Sequence, residues 1–194
     1  MSAAAHLCTL LRVLLAPIFA WTIGAPLPGA TPLVLYVTAV VSDVADGRLA
    51  RASGRASPRG RLFDHAADVV FLLPALVVLG RAARVPFVLP CAVALAFGLY
   101  CVDGWRRGRD SRTISLVPSR SGTAAGVANY AVAGLAAIAD WHRSSPLDGI
   151  VYAAALAAVA VNLAAALERV QSLLRSEASP RTIAPSAPRC AEGE

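Results

Sequence analysis

Asp43 to Asp68 reads DVADGRLARASGRASPRGRLFDHAAD, and this one stretch carries four of the chain's eight aspartates across the junction of two long apolar runs. A carboxylate inside a membrane helix costs at least about 2.5 kcal/mol on insertion scales, so four of them in or beside a bilayer need partners. On the first helix Asp43, Asp46, Gly47 and Ala50 are three or four residues apart and share a face. On the next, Gly60, Asp64 and Asp68 recur every fourth residue. Between them SGRASPRG supplies Gly54, Ser57 and Pro58 for a turn. The pattern predicts two antiparallel neighbouring helices whose carboxylate pairs converge near the same ends.

The rest of the chain supports a membrane setting. Of its 194 residues 57% are hydrophobic and 15% charged, with a mean hydropathy of +0.60, against about 45–50% and 25% for soluble domains. Apolar runs fall near 5–24, 32–52, 60–80, 86–105, 122–139 and 148–170, each too long for a strand. The expected fold is an all-α integral membrane protein of about six transmembrane helices. Turn formers mark the breaks at Gly24–Pro32, Gly80–Pro86 and Asp140–Leu147, and the polar stretch Arg106–Arg120 marks another. The expected organisation is a membrane domain over 1–175. A disordered cytoplasmic tail is expected over 176–194, where Pro, Ser, Ala and charge offer too little apolar surface to order the chain.

All eighteen basic residues are Arg, and the net charge is +6. They lie between apolar runs, which fits orientation in a bilayer and not nucleic-acid binding. With both ends cytoplasmic and Arg12 set aside within the first run, fourteen arginines fall on the inner side, leaving Arg81, Arg84 and Arg143 outside. Trp21, Trp105 and Trp141 sit at expected helix ends, where amphipathic rings favour the headgroup level. Cys8, Cys91, Cys101 and Cys190 form no C-x-x-C pair, so neither a disulfide nor a thiolate metal site is expected. The N-terminal run lacks a basic flank and is interrupted by Arg12, unlike a cleaved signal peptide.

Clustered like charges raise one another's pKa and call for a cation, and oxygen-only ligands favour Mg²⁺ or Mn²⁺. Such ions usually join carboxylates to phosphate oxygens. Gly47, Ala50 and Gly60 leave room for a phosphorylated ligand, and Arg51 one turn on can grip phosphate as a planar fork. In the plainer alternative the aspartates merely pair with Arg48, Arg51, Arg55 and Arg61 at the interface. Four carboxylates at regular helical spacing beside small residues fit the metal reading better.

The segment resembles, position for position, the signature D-x2-D-G-x2-A-R-x8-G-x3-D-x3-D of the CDP-alcohol phosphatidyltransferases, through Asp43, Asp46, Gly47, Ala50, Arg51, Gly60, Asp64 and Asp68. The resemblance implies phospholipid biosynthesis. Asp43, Asp46, Asp64 and Asp68 would hold two divalent ions on the diphosphate of CDP-diacylglycerol. Asp68 would deprotonate the hydroxyl of a small alcohol, and CMP would leave. Gly47, Ala50, Arg51 and Gly60 would line the CDP-lipid site. HLCTLLRVLLAPIF (His6–Phe19) is similar to the first-helix pattern of phosphatidylglycerophosphate synthases through Thr9, Arg12 and Pro17, which adds Thr9 to the CDP-lipid contacts and favours glycerol 3-phosphate as acceptor. His6 and Cys8 depart from that pattern. Arg12 itself has two readings, a nucleotide contact or a side chain snorkelling to the interface.

WRRGRDSRTISLVPSR (Trp105–Arg120) carries five arginines. They serve either positive-inside bias or, through Arg112 and Arg120, a phosphorylated acceptor. The family's glycerophosphate enzymes tend to carry Gly-Lys-x-x-Thr here, whereas this chain has SRSGTAAG, and Val69 replaces the Lys that often follows the last aspartate. Inositol phosphate, inositol, serine or phosphatidylglycerol therefore remain alternative acceptors. Asp103, Asp140 and Asp148 are expected to be solvated, and His65 to point off the carboxylate face. A cation or proton transporter using the aspartates is the reading from another class, and an inactive scaffold a third. Both fit less well, because the carboxylates crowd two adjacent helices and the set of four is intact. The family implies membrane lipids as surroundings and a homodimer as a possible state. The expected location is the inner (plasma) membrane, with the active site facing the cytoplasm.

Overall fold

The computed structural model describes residues 3–25, 29–52, 58–111, 119–142 and 145–178. Six helices account for nearly all of them: α1 (Ala3–Ile23), α2 (Thr31–Ala52), α3 (Pro58–Arg81), α4 (Val88–Ser111), α5 (Arg120–His142) and α6 (Ser145–Ala178). No strand occurs among the described residues. Pro58 opens α3, where its missing N–H costs nothing. Ser119 caps α5, its Oγ accepting the Gly122 N–H at 3.0 Å. Two boundaries run beyond expectation. α4 continues through Ser111, so Arg106, Arg107 and Arg109 are helical and not loop. α6 continues to Ala178, three residues past the expected domain end at 175. The remainder of the expected tail, 179–194, lies outside the described residues.

Helix order in space differs from helix order in sequence. α1 packs on α2 and α3, α3 on α4, α4 on α6, α6 on α5, and α5 on α2, which closes a ring. Among the described residues α1 packs against both α2 and α3, and α2 and α3 share no extensive interface; the connection between them, 53–57, where their expected pairing begins, lies outside the described residues. Periodicity marks which face of a helix carries the aspartates, but not which helix that face meets.

The core joins large side chains of α1 and α3 to small ones of α5 and α6. Phe19 stacks on Phe71 at 4.8 Å between ring centroids. Ala133, Ala136, Ala155 and Ala158 are wholly buried, and such small residues let helix backbones approach closely. Outside the ring the pattern inverts. Leu14, Val34, Val41, Leu156 and Leu167 are exposed, as are Trp21 and Trp141 at their helix ends and Trp105, which lies inside α4 and not at its expected end. Among the described residues, four helices are long and apolar enough to cross a membrane, over Leu62–Arg81, Val88–Arg107, Arg120–His142 and Pro146–Arg175. The described parts of α1 and α2 hold shorter apolar stretches, Leu10–Ile23 and Thr31–Ala45.

One end of the ring is fastened by Arg84, in the α3–α4 connection. Its guanidinium pairs with Asp140 at 2.6 Å and Asp148 at 3.1 Å, and reaches the Ile23 carbonyl at 3.5 Å. Asp140 is not solvated as expected: its carboxylate is only 18% exposed. Asp148 is half-exposed and paired. This cluster ties the ends of α1 and α5 to the start of α6.

Candidate active site

At the other end, α1, α2 and α3 bring their charged side chains to one point. Arg12 of α1 is fully buried. Its Nη1 lies 2.8 Å from Asp43 Oδ1 and also donates to Asp68 Oδ1, while Nη2 is 3.9 Å from Asp64 Oδ1. Arg12 therefore does not snorkel to the interface; it is an internal counter-charge. The packing of α1 on both α2 and α3 explains this, since its inward face meets the aspartates of both helices. Asp68 also accepts a 2.6 Å hydrogen bond from the Tyr130 hydroxyl on α5. Three carboxylates thus meet around one guanidinium.

These aspartates stand at one edge of a cavity of about 750 Å³ bounded by α2 to α6. Its middle is apolar, with Leu72, Val93 and Phe97. A polar floor is formed by Asn129 and Asn162, whose amides bond reciprocally at 2.8 and 3.3 Å. The far wall carries Arg169, whose guanidinium pairs with Asp103 at 3.0 Å and lies 5.1 Å from the Tyr100 ring centroid. Arg107 meets the same Asp103 at 3.0 Å. Asp103 is 3% exposed, so its expected solvation is corrected: burial at the α4–α6 seam is tolerated because two arginines and Ser172 satisfy it. His65 packs on Tyr100 at 5.3 Å.

Of the residues singled out from the sequence, Asp43, Asp64 and Asp68 are brought together. Thr9, Asp46, Gly47, Ala50, Arg51 and Gly60 belong to α1, α2 and α3 by their backbone, and their side chains lie outside the described ones. Arg112 lies outside the described residues. Arg120 is exposed at the start of α5 and does not line the cavity, which is reached there by Ser119, Gly122 and Thr123. Sequence reading missed Tyr130, Arg169 and the asparagine pair as cavity groups. Each is a polar residue isolated in an apolar helix, and that was the available signal.

The donor chemistry suits a hard divalent ion: carboxylate oxygens from two helices gathered around one cationic nitrogen. Among the described side chains no three acidic or imidazole groups stand close enough to ligate one ion together.

The sequence model of the family described as CDP-alcohol phosphatidyltransferase matches residues 2–167, from α1 through most of α6. The chain belongs to the CDP-alcohol phosphatidyltransferase family. It is similar to the cardiolipin synthase (CMP-forming) of Streptomyces coelicolor, with 35% identity over 77 residues, 37% of this chain and 36% of that protein. The chain thus spans about a third of the length of the curated relative it matches. No solved structure matches this family member.

Proposed function

We propose that the protein transfers a phosphatidyl group from CDP-diacylglycerol to a hydroxyl of a glycerol phosphate, releasing CMP. It would do so as an integral membrane enzyme of six spans, with both termini and the aspartate end of the ring on the cytoplasmic side. One observation carries the reading: Asp43, Asp64 and Asp68 converge at the edge of a cavity whose middle is apolar and whose far wall carries the guanidinium of Arg169, paired with Asp103. Such a cavity suits a ligand with lipid, phosphate and hydroxyl parts. A cation relay would instead be served by carboxylates spread over several helices near the midplane.

Asp43, Asp46, Asp64 and Asp68 would hold Mg²⁺ or Mn²⁺, two ions in all. Bound there, the metal supplies charge stabilisation for the diphosphate and for the departing CMP oxygen. The chain's own groups do the rest. Asp68, held by Tyr130, takes the proton of the acceptor hydroxyl as its oxygen attacks the lipid-side phosphorus. The bond from that phosphorus to the bridging oxygen breaks, and CMP leaves with the electron pair. Gly47, Ala50, Arg51, Gly60 and Thr9 would receive the CDP end. The apolar wall excludes water, which would otherwise compete with the acceptor.

Glycerol 3-phosphate is the acceptor favoured by the first-helix likeness. The relative's name supports phosphatidylglycerol as the second reading, and both present a glycerol hydroxyl beside a phosphate. The deciding experiment is CMP release from CDP-diacylglycerol by purified protein in detergent. It is run with Mg²⁺ or Mn²⁺, after chelation, and with each acceptor in turn, beside Asp68→Asn. Acceptor-dependent CMP that chelation stops, and that the substitution lowers at least about a hundredfold, establishes the reaction and names the acceptor. A folded protein that releases no CMP with any acceptor or metal overturns it.

A further inference from the structure

Arg12 has an unusual combination of contacts. Its side chain is wholly buried, one nitrogen is shared between Asp43 and Asp68, and its Nε and Nη2 are buried with no hydrogen-bond partner. A guanidinium enclosed for structure alone would normally have its donors satisfied, because an unpaired buried N–H is costly. Here the fork is half used. The half in use occupies the space between the carboxylates that the metal reading assigns to an ion.

We infer that Arg12 is an exchangeable internal cation: it holds Asp43 and Asp68 when no divalent ion is bound, and is displaced by the ion to present its fork to the donor diphosphate. The inference rests on the metal-dependent reading above. Two physical arguments carry it. Asp43 and Asp68 meet at a single nitrogen and repel one another, Asp68 being only 24% exposed though Asp43 is 41% exposed, so a chain that folds before meeting metal gains from a built-in positive partner. Because Nε and Nη2 are buried without hydrogen-bond partners, the fork also gains hydrogen bonds when it turns to a phosphate. Once displaced, Arg12 sits beside a site that receives a diphosphate, with Nε and one Nη ready for bidentate pairing to phosphate oxygens. Ion entry and substrate capture are then coupled through one side chain.

The test uses the full chain in detergent, stripped with chelator, with Mn²⁺ alone as probe. Wild type, Arg12→Met and Arg12→Lys are compared by Mn²⁺ binding and by thermal midpoint. Arg12→Met keeps the packing volume and removes the competing charge. Its Mn²⁺ Kd is expected to tighten about tenfold or more. Its midpoint should fall by about 5 °C or more in chelator and recover with Mn²⁺, where wild type changes little. Its KM for CDP-diacylglycerol should rise although its metal binds better, a pairing of opposite effects that general damage to the site would not give. Arg12→Lys, which keeps the charge, should bind Mn²⁺ like wild type and remains testable if Arg12→Met does not fold in chelator. Unchanged or weaker Mn²⁺ binding in folded Arg12→Met overturns the exchange while leaving the metal-dependent reaction standing, as does tightening in Arg12→Lys equal to that in Arg12→Met. Wild type that binds no Mn²⁺ overturns both.

Discussion

Tyr130 on α5 donates its hydroxyl to Asp68 Oδ1 on α3 at 2.6 Å, the same oxygen that Arg12 of α1 grips. Tyr130 is itself positioned from α2, because the Tyr36 hydroxyl donates to the Tyr130 carbonyl at 2.9 Å. Tyr36 reaches that carbonyl only because Gly134 has no side chain: a Cβ there would come within 2.8 Å of the Tyr36 ring and hydroxyl. Four helices therefore set the orientation of one carboxylate.

Tyr130→Phe keeps the ring and removes the bond. A hydrogen bond to a charged group is worth about 1.5–3 kcal/mol, so kcat for CMP release is expected to fall about ten- to a hundredfold. Asp43, Asp64 and the apolar wall are untouched, so KM for CDP-diacylglycerol should stay within about twofold. Steady-state kinetics in detergent decides. An unchanged kcat would mean that the Tyr130 bond does not orient Asp68 for proton transfer.

Gly134→Ala probes the same chain of contacts from its far end. The added methyl must push Tyr36 aside, and overpacking of this kind costs about 1–3 kcal/mol. The thermal midpoint should drop by roughly 2–10 °C. Because displaced Tyr36 no longer holds the Tyr130 carbonyl, kcat should fall as well, by less than in Tyr130→Phe. Measuring both in one preparation separates the two effects, since loss of stability alone leaves kcat per folded molecule unchanged.

What the sequence disclosed and what it hid divide along a physical line. Helix ends at Gly24, Gly80 and Pro58 were legible because turn formers and the lengths of apolar runs are local properties. The shared face of Asp64 and Asp68 was legible from a spacing of four. The packing of α1 on both α2 and α3 was not, since no local pattern encodes which helix a face will meet. Arg12 was therefore read as a nucleotide contact or an interface residue, and its partners 31 and 56 positions away went unseen. Asp103 was misread for the same reason: it sits near the polar end of α4, and only the fold supplies Arg169, 66 residues later. Tyr130 was not singled out from the sequence, because its role depends on α3 lying opposite.

The Asp103–Arg169 pair makes a separate stability prediction. Removing one member of a buried pair strands the other charge and costs about 3–5 kcal/mol, whereas replacing both with apolar groups of similar size is often neutral. Asp103→Leu should therefore lower the thermal midpoint strongly, and Asp103→Leu with Arg169→Met should recover most of the loss. A double variant as unstable as the single one would show that the Ser172 contact to Asp103, and not the pair itself, holds α4 to α6.

The last prediction concerns the end of the ring away from the aspartates. α3 stops with Ala83 in the left-handed region, φ 56°, while Ala83 N–H bonds to Gly80 O at 3.1 Å and Arg84 N–H to Leu79 O at 3.0 Å. This is a helix terminator that usually employs glycine, because a Cβ there crowds the backbone by about 1–2 kcal/mol. The turn aims Arg84 at Asp140 and Asp148. Ala83→Gly should relieve the crowding and, after the extra entropy of an unfolded glycine is subtracted, raise stability by about 0.5–1 kcal/mol. Arg84→Met, by contrast, leaves the mostly buried Asp140 carboxylate unpaired and should cost about 2–3 kcal/mol. Because the cluster lies at the opposite end from Asp68, kcat per folded molecule should be unchanged in both variants. Thermal midpoints alongside CMP release decide, and a changed kcat in either variant would mean that the two ends of the ring are mechanically coupled.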